Sequence, residues 1–205
     1  MEIDTGKRWP LFLLLLYLAE FAVLGIAPYD RTVWWAENLT ALIPVSILVL
    51  LYWRGVRFSN TAYTLLAVYF LLHTVGGYYT FERVPIEKIT EFFGFKRNHY
   101  DRVCHFLVGT AAFAALEFFD RHRLIRSRLL AAILTVMSIF GLAAVFELVE
   151  WTYAEFANPD AGAAFLGSQG DIWDAQKDML ADGLGAIFST ALYALLRWRK
   201  REAAL

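Results

Sequence analysis

The sequence predicts an all-α polytopic membrane bundle of six transmembrane helices with both termini cytoplasmic. Three observations predict it. Of 205 residues, 59% are hydrophobic and only 19% charged, and the mean hydropathy is +0.46; soluble domains hold about 45–50% apolar and about 25% charged residues. The charges fall in clumps between uncharged runs, several near the ~20 residues that cross a bilayer as a helix. Lys and Arg are dense at every second clump, the alternation expected of a chain that crosses repeatedly. The net charge of −1 argues against a nucleic-acid partner. The lone Cys104 excludes an internal disulfide and a CxxC motif. No linker, repeat or low-complexity tract divides the chain, so residues 1–205 read as one integral membrane domain.

The first span, about 9–29, is apolar from Trp9 to Tyr29 except for Glu20. Lys7-Arg8 followed by Leu11–Leu16 has the look of a signal-peptide start. The run is too long, however, and Glu20 falls where a cleavage site wants small residues, so a retained helix is expected. The second span, 34–53, is uncharged from Asn38 to Trp53 and can begin near Val33. The third, 59–80, lies in the clearest run, Phe58 to Phe81, which has no Asp, Glu, Lys or Arg. The fourth, 101–119, and the sixth, 174–197, have short uncharged centres (Val103–Leu116 and Gly183–Leu196) and must recruit flanking polar turns. The fifth, 129–153, continues past Glu147 and Glu150.

Basic residues set the orientation. One set of ends carries Lys7, Arg8, Arg54, Arg57, Arg121, Arg123, Arg126, Arg128, Arg197, Arg199, Lys200 and Arg201. The other carries Arg31, Arg83, Lys88, Lys96, Arg97, Arg102 and Lys177. The richer set faces the cytoplasm. Five bases in the loop from Arg83 to Arg102 strain this assignment.

Polar residues then converge at one depth. His73 lies in the outer half of span three, Asp101 and His105 open span four, and Glu147 and Glu150 lie in the outer part of span five. Asp174, Asp178 and Asp182 form one i, i+4, i+8 stripe on span six. Ionised carboxylates in the hydrocarbon region cost a few kcal/mol each, and crowding them adds repulsion. A bound cation or protonation would offset that. Mixed His and carboxylate ligands suit a divalent metal ion; zinc, manganese, iron and magnesium all stay open. The expected ligands are His73, His105, Glu147, Asp178, Asp101 and Asp174, with Glu150 and Asp182 as catalytic base or supporting partner. Each residue also has a plainer reading. Asp101 and Asp174 suit helix starts, Glu147 or Glu150 could pair with Arg97 or Arg102, Glu117 with Arg121, and His122 should be solvated. Cys104 suits packing, and Glu20 could reach the cluster from mid-membrane. There is no HExxH and no GxSxG.

The stretch Arg97-Asn98-His99-Tyr100-Asp101-Arg102-Val103-Cys104-His105-Phe106 resembles the uncharacterised bacterial inner-membrane YjdF-like family. So do Phe146-Glu147-Leu148-Val149-Glu150-Trp151 and the run from Phe165 to Met179. The resemblance implies a multi-pass inner-membrane protein and no particular activity. A weaker similarity is to VanZ-like membrane proteins, through Asp101-Arg102-x-x-His105, Glu147 with Glu150, and Asp178 with Asp182-Gly183-Leu184-Gly185. Those proteins commonly carry Asn or Gln where Glu150 and Asp182 stand.

The functional expectation is an outward-facing metal site, and in its sharpest form a metal-dependent hydrolase for a lipid or lipid-linked substrate, with membrane lipid as the partner. The loop 155–173, with Gly162, Gly167 and Gly170, could cap it. The alternatives are a cation or proton-coupled transporter and a scaffold with paired charges. A continuous polar path inward would favour transport, and a closed floor an enzyme. Full pairing with Arg97 and Arg102 would favour the scaffold.

Overall fold

The computed structural model describes residues 8–156, 162, 166 and 168–198. Lys7, Arg199, Lys200 and Arg201 lie outside the described residues, as do 157–161, 163–165 and Gly167 of the proposed cap 155–173. The described chain has helices and no strand: α1 (Arg8–Leu24), α2 (Arg31–Trp53), α3 (Asn60–Tyr79), α4 (Glu87–Phe92), α5 (Tyr100–Gly109), α6 (Ala112–Arg121), α7 (Arg128–Phe156) and α8 (Asp174–Tyr193), which runs on as a π-helical turn, Ala194–Trp198. Among the described residues, four segments are long and apolar enough to cross a membrane: Arg31–Trp53, Tyr100–Arg121, Arg128–Phe156 and Asp174–Arg197. The 17-residue α1 is shorter, and Asn60, Thr61, Thr64, His73 and Thr74 dilute α3.

Two expected boundaries move. The first span ends at Leu24 rather than Tyr29, because the Arg31 guanidinium turns back to cap the carbonyls of Gly25 and Ile26 and so closes the helix end. The fourth is two helices in line. At Thr110 and Ala111 the amides bond three residues back, to Leu107 and Val108, tightening the turn between α5 and α6. α2 starts at Arg31 because Asp30 caps it, accepting from the Thr32 and Val33 amides at 2.7 and 3.0 Å.

The bundle exposes apolar side chains on its outside and buries a set of polar and charged ones beside its apolar core, unlike a soluble protein. On α7 only Ala131, Thr135, Ile139 and Ala143 are buried, an i, i+4 stripe, while Leu129, Ile133, Met137, Leu142, Val145 and Val149 are exposed. The buried stripe of α8 is Asp174, Asp178, Asp182, Ala186, Ser189 and Tyr193, mostly polar. This arrangement suits a lipid surround, where apolar side chains face acyl chains and polar ones must find partners within the protein.

α8 is the hub, packing on α5, α6 and α7, while α3 joins α1, α2 and α5. α5 and α8 run parallel in backbone contact. A Cβ on Gly185 would stand 1.9 Å from the Phe106 carbonyl oxygen, and one on Gly109 would stand 2.1 Å from that of Asp182. Small residues allow this approach, as is usual where membrane helices meet. It fixes the height of Asp182 beside His105.

The end of the bundle where α5 and α8 begin is tied by the two long motifs of the sequence. The Asn98 amide N–H donates to Gln169 Oε1 (2.9 Å), and Gln169 Nε2 returns a bond to the Asn98 carbonyl (3.0 Å). Asn98 Nδ2 holds the carbonyls of Glu82 and Val84, and Tyr100 Oη donates to Leu72 O at 2.8 Å. The five bases of this loop region are accounted for in part by local partners: Arg83 lies near Glu82 and over the Tyr29 ring, and Arg97 and Arg102 bind aspartates. Paired bases weigh less against the charge bias.

A buried histidine and carboxylate cluster as the candidate functional site

Residues from α5 and α8 meet because both helices start at the same level and run side by side. His105 is buried one turn after Asp101. Its Nδ1 lies 3.0 Å from Asp182 Oδ2. A carboxylate oxygen only accepts, so Nδ1 donates. Nε2 lies on the other side of the ring and is a ligand when it carries no proton. Facing it are Asp101 Oδ1 at 3.7 Å and Asp178 Oδ1 at 4.0 Å, beyond hydrogen-bond reach. These three ligand atoms lie within 4.8 Å of one another. Ligands about 2.0–2.2 Å from one ion stand at most about 4.4 Å apart, and the 3.7 and 4.0 Å separations fall within that reach. The donors present therefore fit a divalent cation held by Asp101, His105 and Asp178, with Asp182 orienting the imidazole from behind, as carboxylates do in metal sites.

Nearer the mouth is a second, charge-paired layer. Arg97 Nη1 binds Asp174 Oδ1 at 2.5 Å, and Arg102 Nη2 binds the same oxygen. Arg102 Nη1 also lies 2.9 Å from Asp178 Oδ1, yet that oxygen completes no hydrogen bond. We read the contact as an ion pair by distance, leaving the lone pairs of Asp178 poorly used. Asp171 is 3.5 Å from both arginines and 2.6 Å from Lys177 Nζ. That lysine, with the Trp173 amide, holds the Asp171 carboxyl below its usual range. Partial burial and the neighbouring charges of Arg97, Arg102 and Lys177 push His99 below the usual histidine range. Asp174, expected among the metal ligands, is thus occupied by two guanidinium groups.

The remaining expected residues fall around this core. Glu147 and Glu150 face it from α7: Glu147 interacts electrostatically with His105, Asp101 and Asp182, and Glu150 with Asp101, Glu147 and His105. Neither forms an ion pair with Arg97 or Arg102, whose positive charge is taken by the α8 aspartates and Asp171. Glu147 Oε1 and Asp182 Oδ1 are buried with no hydrogen-bond partner among the described residues. His73 is turned away from the three-ligand group. Its Nε2 donates to the Glu37 carbonyl at 3.1 Å and lies 3.8 Å from that residue's carboxylate. Glu37, at 3% exposure, is a site-flanking acid that is not among the candidates named from the sequence. Its signal was positional, since an acid three residues into a span is costly unless it faces inward.

At the opposite end, Glu117 is buried and accepts from the Ser59 amide (3.0 and 3.1 Å) and Ser59 Oγ (2.8 Å), with Arg121 Nη2 at 2.5 Å. The expected pairing of Glu117 with Arg121 is present, and it also caps α3. His122 is exposed and Cys104 is packed with Phe81, Val84 and Tyr100. Between the two polar layers lie Ala112, Ile139 and Ala186, and lower still Phe113 and Leu116. An apolar cavity of about 320 Å³ opens between α1, α2 and α3, lined by residues such as Leu13, Val45 and Phe70 and by no acid or histidine, and lies apart from the cluster.

Apolar helices around a core of histidine and carboxylates define a polytopic α-helical membrane protein. The chain belongs to the family described as "Predicted membrane protein (DUF2238)", whose pattern matches residues 9–200. It is similar to inner membrane protein YjdF of Escherichia coli (strain K12), with 35% identity over 180 residues, spanning 87% of this chain and 84% of that one. No solved structure matches.

Proposed function

We propose that this chain is an inner-membrane protein of six spans, both termini cytoplasmic, that binds a divalent metal ion at Asp101, His105 and Asp178 near its outer face. The observation that carries the reading is the His105 ring: Asp182 fixes one nitrogen, and the other faces two carboxylate oxygens at 3.7 and 4.0 Å. The inner-membrane placing follows the Escherichia coli relative. The six-span count adds α1 and α3 to the four long apolar segments, since both pack as full members of the bundle.

Hydrolysis of a lipid or lipid-linked substrate is the activity this site suits best. A divalent ion, when bound, makes a coordinated water acidic enough to act near neutral pH. Asp182 is committed to His105 and serves as its positioning residue. Glu150 and Glu147, half-buried on α7 and without an ion pair among the described residues, are the candidates to accept a proton. Arg97 and Arg102 hold the mouth together through Asp171 and Asp174. The layer of Ala112, Phe113, Leu116, Ile139 and Ala186 supports an enzyme over a transporter, because it closes the inner side. One observation favours the scaffold reading, the pairing of Asp174 and Asp178 with arginines.

The test is elemental analysis of protein purified without chelator or a metal-affinity tag, beside His105→Ala and Asp174→Asn. Near-stoichiometric metal in the parent and Asp174→Asn, lost in His105→Ala, supports the site. Metal-free parent protein that does not bind added zinc, manganese, iron or magnesium leaves the paired-charge scaffold. A reporter active only outside the cytoplasm, fused to the C-terminus, should stay silent; activity there overturns the orientation.

A further inference from the structure

We infer that the segment from Ile89 to Phe95 is a membrane-surface anchor, seated among the phospholipids of the leaflet at the mouth of the cluster. The chain leaves α3 at Tyr79 and re-enters the bundle at Tyr100, so the segment lies where the spanning helices start. Its base is fastened by Asn98 to Glu82 and Val84. Its tip carries Phe92, 82% exposed, with Ile89, Phe93 and Phe95 also exposed. The rings touch in sequence: Phe92 on Phe93 at 5.0 Å, Phe93 stacked on Phe95 at 5.4 Å, and Phe95 against His99 at 4.6 Å. Ile172 (85% exposed) and Trp173 stand on the neighbouring loop. That loop is joined to the first by the Asn98–Gln169 pair and by Arg97 Nη1 on Ser168 O, so the residues belong to one connected surface.

A water-exposed patch of this kind would be costly, and its surroundings identify phospholipid as what covers it. The patch sits at the edge of the apolar belt of a membrane protein. Aromatic rings favour that level. Lys88 and Lys96 are exposed beside the rings and suited to lipid phosphates. Rings in the acyl boundary with lysines among the headgroups is the arrangement of an interfacial anchor. The ring series ends at His99, beside the arginines at the mouth, and thus lines an approach from lipid to site. This inference needs a membrane-spanning bundle and does not depend on metal binding.

The test attaches an NBD fluorophore at position 92 through Phe92→Cys in a Cys104→Ala background, with Phe93→Cys as a second probe and Glu87→Cys as the polar control. Each protein is reconstituted into phosphatidylcholine vesicles containing nitroxide-labelled phosphatidylcholine and checked for monodispersity. Probes at 92 and 93 should emit at shorter wavelength than the control and be quenched more strongly by a nitroxide near the headgroup than by one deep in the chain. Adding phosphatidylglycerol should strengthen the effect, and Lys88→Glu with Lys96→Glu should cancel that gain. Water-like emission at both positions, equal to the control, would overturn the inference. So would blue-shifted emission with no lipid quenching in a protein that runs as a dimer, which would assign the patch to a second copy.

Discussion

Replacing Gly185 by Ala should separate the two helices that make the site. The added Cβ would lie 1.9 Å from the Phe106 carbonyl oxygen, and non-bonded heavy atoms of this kind need upwards of 3 Å. Because the obstacle is backbone, no rotamer relieves it, and α5 and α8 must part by about 1 Å at the crossing. Asp182 lies less than one turn from Gly185, and its 3.0 Å bond to His105 would open to about 4 Å, outside hydrogen-bond range. Overpacking costs about 1–3 kcal/mol, and losing a hydrogen bond to a charged group about 1.5–3 kcal/mol. Partial relaxation brings the expected loss to about 2–4 kcal/mol. Denaturant unfolding in detergent measures it. Gly141→Ala is the control, because its Cβ would meet open space, and it should be neutral or stabilising by up to ~1 kcal/mol. If Gly185→Ala unfolds at the same midpoint as the parent, the backbone contact between α5 and α8 is not what positions Asp182, and the reasoning fails.

Asp182→Asn keeps the shape of the side chain but offers an amide that can donate as well as accept; divalent-metal affinity, followed by titration calorimetry, should fall by about 10–100-fold, and an unchanged affinity would remove Asp182 as the positioning residue. Glu117→Ala strips Ser59 and Arg121 of a buried acceptor and should cost about 3–5 kcal/mol in denaturant unfolding, while leaving metal stoichiometry as in the parent. The Asp171 carboxyl is held below its usual range by Lys177, so its stabilising effect on the Ser168–Asp174 turn is fully present above the unfolded carboxylate value and is lost as pH falls through the lower folded one. Amide protection in that turn, measured relative to the intrinsic exchange rate at each pH, should therefore hold at neutral pH and fall only on strong acidification; protection that is lost near neutrality would point to another group.

Parts of this protein were legible from the chain alone, and others were not. The long uncharged runs and the clumped charges sufficed for a helical membrane bundle, because a bilayer imposes length and hydropathy on any segment that crosses it. Counting along alternating helices also put His105, Asp178 and Asp182 at one level, and these three residues meet. Depth is a one-dimensional property of the sequence, whereas rotation and pairing are not. Whether Arg97 and Arg102 would meet Glu147 and Glu150 or the aspartates of α8 depended on which helices touch, and the parallel contact through Gly109 and Gly185 decided for the aspartates. The same contact set His105 between Asp182 and the oxygens of Asp101 and Asp178. His73 shares their depth but faces Glu37, because the Glu37 carbonyl claims its Nε2. Short-range geometry between helices distant in sequence separates a ligand from a neighbour at the same height, and only the packed structure contains it.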